Sequence, residues 1–433
     1  VRRYFEFDRH DATWRTEVTA GIATFFTMAY IIVVNPAILE AAGLPRGASI
    51  TATILSAAFG TLIMGVYAKR PFAIAPYMGE NAFIVFTVVK GLGFPWQTAL
   101  GAIFLAGLLF TVLTVFGVRS WLANGIPVVL KHSFTVGIGL FLTFIGLNAV
   151  GMVQLGVPGS PVALGALNAP STVLAISGFT LTAVLLVRRT TGALLIGIAV
   201  TAVLSFATGV TPLPSGVVSM PPSLEPLFAQ LDIRGALTLK ALPVVVIVFV
   251  MAFVDTIGTL IGLGARAGLL DANGNLPDME KPMLADAVVN MVAPVLGTTT
   301  CGAFIESAVG IEEGGRTGVT AVVVALLFLS ALGFAPLLTA IPAHATGVAI
   351  VALGALMLSG MSTLPVKDHT EWIPAFLTIV LMSFTFNIGV GMTAGLVSYP
   401  VLKLFTGRVK EVSVPMWWLA ALSLLFYAVY PYH

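Results

Sequence analysis

One cysteine, five histidines and very little charge are what this sequence withholds, and each shortage removes a class of function. A lone Cys301 excludes an intramolecular disulfide and any zinc site built on several cysteines. Charged residues make up 9% of the chain, against about a quarter in soluble domains. Hydrophobic residues make up 58%, so water cannot be the solvent for most of the surface. The basic residues are scattered over short loops and form no stripe, so no nucleic acid is expected as a partner. His-Glu-x-x-His and Gly-x-Ser-x-Gly are both missing, and no nucleophile–base pair stands out; neither an enzyme nor a bound metal or cofactor is expected. The run Glu313-Gly314-Gly315-Arg316-Thr317-Gly318 lacks the Gly-Lys-Ser/Thr ending of a phosphate loop and reads as a tight turn. Asp271-Ala272-Asn273-Gly274-Asn275 resembles a calcium loop only faintly, because its glycine comes too early and the closing glutamate is missing.

What is present is a succession of apolar runs from Thr16 to Phe405, at a mean hydropathy of +1.01. A membrane-spanning helix needs about 20 mainly apolar residues, so the chain reads as one polytopic, all-α membrane protein whose partner is the lipid bilayer. Glycine, proline and charge punctuation divides it into fourteen spans. They start near Thr16, Ser49, Phe72, Trp96, His132, Ser171, Gly192, Ala236, Pro282, Thr298, Gly315, Ala345, Trp372 and Gly389. With the N-terminus cytoplasmic, only Arg46, Lys90, Arg234 and Lys240 of the 21 basic residues fall outside, as the positive-inside rule requires of a multi-pass protein of the inner (cell) membrane. Residues 1–15 lack the apolar core and cleavage site of a signal peptide and are read as a cytoplasmic arm. The apolar stretch 415–430 is short and aromatic at both ends, so 407–433 is expected to form a helix along the inner membrane surface.

Phe26-Thr27-Met28-Ala29-Tyr30 resembles Phe249-Val250-Met251-Ala252-Phe253, and at the same spacing beyond each stands a glycine, Gly79 and Gly302. Equating spans one to seven (16–209) with eight to fourteen (235–406), joined by 210–234, gives two halves with an odd number of spans. Their orientations are therefore opposite, which makes an inverted repeat. Span three (Pro71-Phe72-Ala73-Ile74-Ala75-Pro76-Tyr77-Met78-Gly79) and span ten (Thr298-Thr299-Thr300-Cys301-Gly302-Ala303) both resist a regular helix at their start. Each reads as a short extended piece followed by a half-helix. Interrupted segments at matching positions of an inverted repeat point to a transport site at the bilayer midplane, where half-helix N-termini offer free N–H groups.

Four acids fall inside spans: Glu80, Asp255, Asp286 and Glu306. Each charged acid at midplane costs roughly 2.5 to 3.5 kcal/mol on insertion scales, and no lysine or arginine lies mid-span to pair with them. A protonatable acid whose state depends on bound substrate is a proton-coupling device, and Asp255 and Glu306 are the leading candidates. Asn81 both donates and accepts, which suits the edge of a heterocycle. Phe253 and Phe304 would add aromatic contacts. Glu80 and Asp286 also have plain structural readings, Asp286 as the partner of Lys281.

At these residues the chain resembles the azaguanine-type purine permeases of the nucleobase:cation symporter superfamily, which share the uracil/xanthine permease fold. The resemblance runs from Thr16 to about Arg408 and rests on Met78-Gly79-Glu80-Asn81-Ala82-Phe83, Asp255-Thr256-Ile257-Gly258-Thr259, the block from Leu276-Pro277 to Asp286, and Ile305-Glu306-Ser307 running on to Ala321. It implies a seven-plus-seven inverted fold with a core (spans one to four and eight to eleven) and a gate (five to seven and twelve to fourteen). It also implies substrate contacts at Asn81, Asp255 and Glu306, with Gly79 admitting the base to the backbone; Gly302, its counterpart by spacing, is a further substrate-binding candidate. Thr259 stands where pyrimidine-type relatives can carry a histidine. The implied function is import of adenine, guanine or hypoxanthine by proton symport, with sodium as the other candidate ion and a homodimer as the candidate assembly. A uracil- or xanthine-type permease, and more remotely an anion exchanger of the same fold, are the alternatives.

Overall fold

The computed structural model describes residues 2–116, 126–157, 160–269 and 276–429. The calcium-like segment 271–275 and Arg119 lie outside them. The helices are α1 (Trp14–Met28), α2 (Ile31–Glu40), α3 (Arg46–Val66), α4 (Met78–Ala82), α5 (Trp96–Val115), α6 (Val128–Ala149), α7 (Pro170–Val187) and α8 (Ala193–Ala207). There follow α9 (Leu242–Arg266), α10 (Glu280–Leu296), α11 (Ser307–Glu312), α12 (Gly318–Ala331), α13 (Ala343–Leu358), α14 (His369–Phe384), α15 (Ile388–Phe405) and α16 (Val414–Val429). Among the described residues, nine helices are long and apolar enough to cross a membrane, α1 and α2 counting as one.

Proline sets many of the starts. Pro45, Pro95, Pro127 and Pro342 are the N-caps of α3, α5, α6 and α13, and Pro170 opens α7. At these positions the missing N–H costs nothing and the fixed φ suits helix entry. Within lipid the helices gain no hydrophobic energy by leaving tails for one another, so close backbone approach has to supply the attraction. Glycines allow it between α6 and α13: a Cβ on Gly354 would lie 2.6 Å from the Gly139 carbonyl oxygen, and one on Gly146 would lie 3.1 Å from that of Gly347.

Two sets of helices result. On α3 pack α2, α10 and α12, with α1 against α12 and with α5 and α9 against α10; around α6 and α13 pack α7, α8, α14 and α15. Between them lie two short strands, β1 (Ile74–Pro76) and β4 (Cys301–Ala303), paired antiparallel with Ile74 opposite Ala303 and Pro76 opposite Cys301. The fold is therefore not purely helical. A second ribbon, β2 (Val153–Val157) with β3 (Ser160–Leu164), was not anticipated, and residues 83–91 continue α4 as a π-helix. The two glycines found at matched spacing do not occupy matched places, since Gly79 is the second residue of α4 and Gly302 the middle of β4.

The C-terminal helix is packed on the bundle. Helix α16 folds back along α15 and against α9, burying Met416, Leu419 and Ser423, and Tyr427 donates to the Val390 carbonyl at 2.9 Å. It thus runs beside α15, while Trp418 and Leu424, on its other side, are exposed. The N-terminal arm packs against the ends of α3 and α12, with Phe7 buried and Tyr4 donating to the Val66 carbonyl.

Candidate functional site

Two strands inside a helical protein expose outer edges, and every buried N–H and C=O there needs a partner. Side chains supply them. On the β1 edge Thr61 of α3 both donates to the Ile74 carbonyl (3.0 Å) and accepts from its N–H (2.8 Å). On the β4 edge Asn290 of α10 accepts from the Cys301 N–H (2.9 Å) and donates to its carbonyl (2.7 Å). One turn earlier, Oδ2 of Asp286 accepts from the Ala303 N–H (3.1 Å) and the Thr256 hydroxyl (2.9 Å). Ser307 accepts from the Ala73 N–H at 3.0 Å. The strand pair is thereby a fixed platform from which Tyr77 and α4 depart on one side and Phe304 and α11 on the other.

The four intramembrane acids have distinct surroundings. Asp286 is fully buried and does not pair with Lys281, which bonds Asp278 instead. Its position along α10 turns it towards the strands, so it is a platform residue with one oxygen, Oδ1, left unpartnered. Glu80 is fully buried within electrostatic reach of Asp255 and Asp286; the Thr300 hydroxyl is set beside it, but among the described residues neither of its oxygens has a hydrogen-bond partner within 3.5 Å. Asp255 is only partly buried and accepts no hydrogen bond from a described residue. Glu306 stands apart from these three at the N-cap of α11, also partly buried, and accepts from the Tyr30 hydroxyl at 2.7 Å. Tyr30 reaches it because the first long helix is interrupted between α1 and α2.

Along α9, Asp255, Thr259, Gly262 and Arg266 escape full burial and fall on one helical face. Opposite, α11 presents Glu306, Val309, Glu312 and Glu313, and Arg266 pairs with Glu312 at 2.7 Å. A cavity of about 490 Å³ opens there, lined by Glu306, Arg266 and Glu312 on one side and by Arg189, Gly192 and Leu356 of the α6–α13 set on the other.

Several sequence candidates sit elsewhere than expected. Phe253 is fully buried against Phe110 and Phe249, at 5.5 Å from each ring, and faces away from the open surface, because it lies on the core side of α9. Gly79 makes room for the Ile138 side chain of α6, 2.8 Å from where a Cβ would stand, and Gly302 makes room for the Tyr77 ring. Both glycines therefore serve packing. Phe304 stacks on Tyr77 with ring centroids 6.3 Å apart. Asn81 is fully buried and donates to Asn35 Oδ1 at 2.6 Å, leaving its own Oδ1 without a partner. Asn35 in turn donates to Thr53 and Thr298.

Sequence reading missed Tyr30, Asn35, Thr61 and Asn290. A polar residue inside an apolar run was the one signal available for each. It also missed Glu17, whose buried carboxylate accepts from the Arg316, Thr317 and Thr320 N–H groups and so caps α12.

Comparison with known proteins gives this geometry its context. The Xan_ur_permease model, described as a permease family, matches residues 15–394. A permease-named protein of Methanocaldococcus jannaschii is 47% identical over 98% of this chain and 97% of its own length. The adenine permease AdeP of Escherichia coli is 40% identical over 95% of this chain and 92% of its own. The guanine/hypoxanthine permease PbuO of Bacillus subtilis is 40% identical over 94% of this chain and 96% of its own. Among solved structures, the transmembrane domain of the cyanobacterial bicarbonate transporter BicA superposes with a TM-score of 0.64 at 17% identity, covering 88% of this chain and 97% of that one. Murine Slc26a9, an anion transporter in the inward-facing state, gives 0.66 at 11% identity over 92% of this chain and 69% of that one. The chain shares their fold, and by sequence it belongs to the Xan_ur_permease family: it is a multi-pass membrane transporter and not an enzyme.

Proposed function

We propose that this chain imports purine nucleobases by proton symport through alternating access. The observation that carries the reading is Glu306 bordering an open space between the two helix sets, with a second partly exposed carboxyl, Asp255, on the α9 face that brings Arg266 to the same space. A purine presents several N–H donors and ring-nitrogen acceptors, and carboxylates match the donors. Glu306, oriented by Tyr30, accepts from the base; Asp255 takes or yields the coupled proton; the free Oδ1 of Asn81 supports it from the buried side. The named activities of the adenine and guanine/hypoxanthine permeases support purines over pyrimidines.

On this reading the strand-led segments 74–91 and 301–312 are the broken spans three and ten of a fourteen-span, seven-plus-seven inverted repeat. The α3 set is the core and the α6–α13 set the gate. With Arg189, Arg266 and Arg316 cytoplasmic, the 490 Å³ cavity is the inward-facing vestibule. Removing a charged hydrogen-bond partner costs roughly 1.5 to 3 kcal/mol, about ten- to a hundredfold in affinity. Uptake of labelled adenine, guanine, hypoxanthine and uracil in cells lacking their own permeases tests it. Glu306→Gln is expected to lose affinity and Asp255→Asn to lose proton dependence. Wild-type uptake in both variants overturns the assignment, and uptake of uracil alone moves it to the pyrimidine type.

A further inference from the structure

Glu80 has no place in the scheme so far, yet its setting is the most demanding in the platform. It is 1% exposed, and neither carboxylate oxygen has a hydrogen-bond partner within 3.5 Å among the described residues, the Thr300 hydroxyl being the one donor set beside it. The titratable groups within electrostatic reach are Asp255 on α9, Asp286 on α10, Tyr77 ahead of α4 and Cys301 on β4, none of them cationic. From α6 and α2 the side chains that meet the start of α4 are Ile138 and Asn35, which do not titrate. An ionised carboxylate in such a place, with neutral hydroxyls beside it and no counter-charge, costs several kcal/mol. A neutral carboxylic acid does not, and its O–H needs one acceptor. Beside it lie the buried Thr300 and Tyr77 hydroxyls and Oδ1 of Asp286, none of them with a hydrogen-bond partner within 3.5 Å.

We infer that Glu80 is a proton-binding site and the group with which Asp255 exchanges the coupled proton. This rests on the proton-symport reading above. Asp255, partly exposed, meets the open face; Glu80, sealed behind it, stores the proton. The step is a simple transfer in which the Glu80 O–H bond breaks as an Asp255 O–H bond forms, and one negative charge moves the other way. Because Gly79 packs directly on Ile138, the charge state of Glu80 is felt where α4 meets the α6–α13 set. That contact gives the proton a mechanical handle on the two helix groups.

The test uses purified full-length protein in liposomes with the membrane potential clamped to zero. A pH step of one unit is worth 1.36 kcal/mol, so a one-to-one symporter accumulates purine about tenfold. Glu80→Gln is expected to keep purine counterflow and to lose pH-driven accumulation entirely. Accumulation equal to wild type, or loss of counterflow in a folded variant, overturns the inference. Replacing sodium by choline is expected to change nothing in the wild type; a sodium requirement makes sodium the occupant and overturns the proton. Labelling of the wild type with dicyclohexylcarbodiimide, which attacks protonated carboxyls in apolar surroundings, needs no substrate and no variant. Mass spectrometry is expected to find the adduct on Glu80, and its absence there overturns the inference even if purine is not the cargo.

Discussion

Substituting Asn290 by alanine removes the side chain that stands in for a neighbouring strand along β4. Two backbone groups, the Cys301 N–H and C=O, lose their partners, and both are buried where lipid and packed helices exclude water. Each unsatisfied buried group costs about 1–3 kcal/mol, so the pair costs about 2–6 kcal/mol. The third bond, to the Asp286 carbonyl, adds little, because that carbonyl keeps its place in the helix ladder of α10. Against net stabilities of roughly 5–15 kcal/mol this is a large fraction. Thermal unfolding of purified protein in detergent is the assay, with Asn148→Ala as control. Asn148 is exposed and bonds one carbonyl, that of Val153, and exposed changes stay within about 0.5 kcal/mol. Asn290→Asp is expected to do no better than alanine. It keeps an acceptor for the Cys301 N–H, loses both donors, and brings a second carboxylate to Asp286. If Asn290→Ala melts with the control and binds purine like wild type, the platform is not held by its edges and the argument fails.

Other substitutions probe other joints. Gly302→Ala drives a methyl into the Tyr77 ring, an overpacking worth about 1–3 kcal/mol; melting should fall, and Tyr77→Ala in the same chain should restore it, as a double-mutant cycle reads directly. Glu17→Gln replaces an anion that accepts from three backbone N–H groups and the Thr320 hydroxyl, and charged hydrogen bonds contribute roughly 1.5–3 kcal/mol each, so hydrogen exchange at the start of α12 should quicken markedly. At the end of α15, Arg408 and Lys403 hold the Glu411 carboxyl down to about 2, from an ordinary 4.5. A lowered folded value means the stability it contributes is present above 4.5 and lost as pH falls towards 2. Glu411→Gln should therefore melt below wild type at pH 7 and match it near pH 2; a constant gap across that range refutes the ion-pair account.

Segment starts were legible because hydropathy and proline mark them locally. A helix or strand-led segment begins within about four residues of thirteen of the fourteen starts, Pro95 before Trp96 and Pro170 before Ser171 being plain cases, while α9 begins six residues beyond Ala236. Pro76 and the β-branched Thr298-Thr299-Thr300 likewise announced extended chain where β1 and β4 stand. The strand-edge partners were not legible. Thr61 and Asn290 look like tolerated polar residues in apolar helices, and their meaning exists only once the strands lie beside them. The packing partners of the glycines were hidden for the same reason. Gly79 and Gly302 read as openings towards a ligand, whereas Ile138 and Tyr77, remote in sequence, fill the space. Phe253 and Asp255 are two residues apart on α9, and a helix places such neighbours on different faces, so one is sealed in the core while the other is partly open.

The fold shared with the bicarbonate and Slc26 transporters leaves the cargo open, since chemistry resides in the site and not the scaffold. Strand-led helix starts meeting at one platform present N–H groups and partial positive charge, and left bare they favour anions. In this chain the same platform is surrounded by carboxyls. Asp286 and Glu306 sit at the strand edge and the α11 cap, and Glu80 and Asp255 within electrostatic reach of one another. Any anion entering that space would meet acids before it met free N–H groups. A neutral ligand rich in N–H donors meets acceptors instead, and a proton arriving with it relieves the remaining charge. On the reading proposed above, the carboxyls are what suit this scaffold to a neutral heterocycle carried together with a proton.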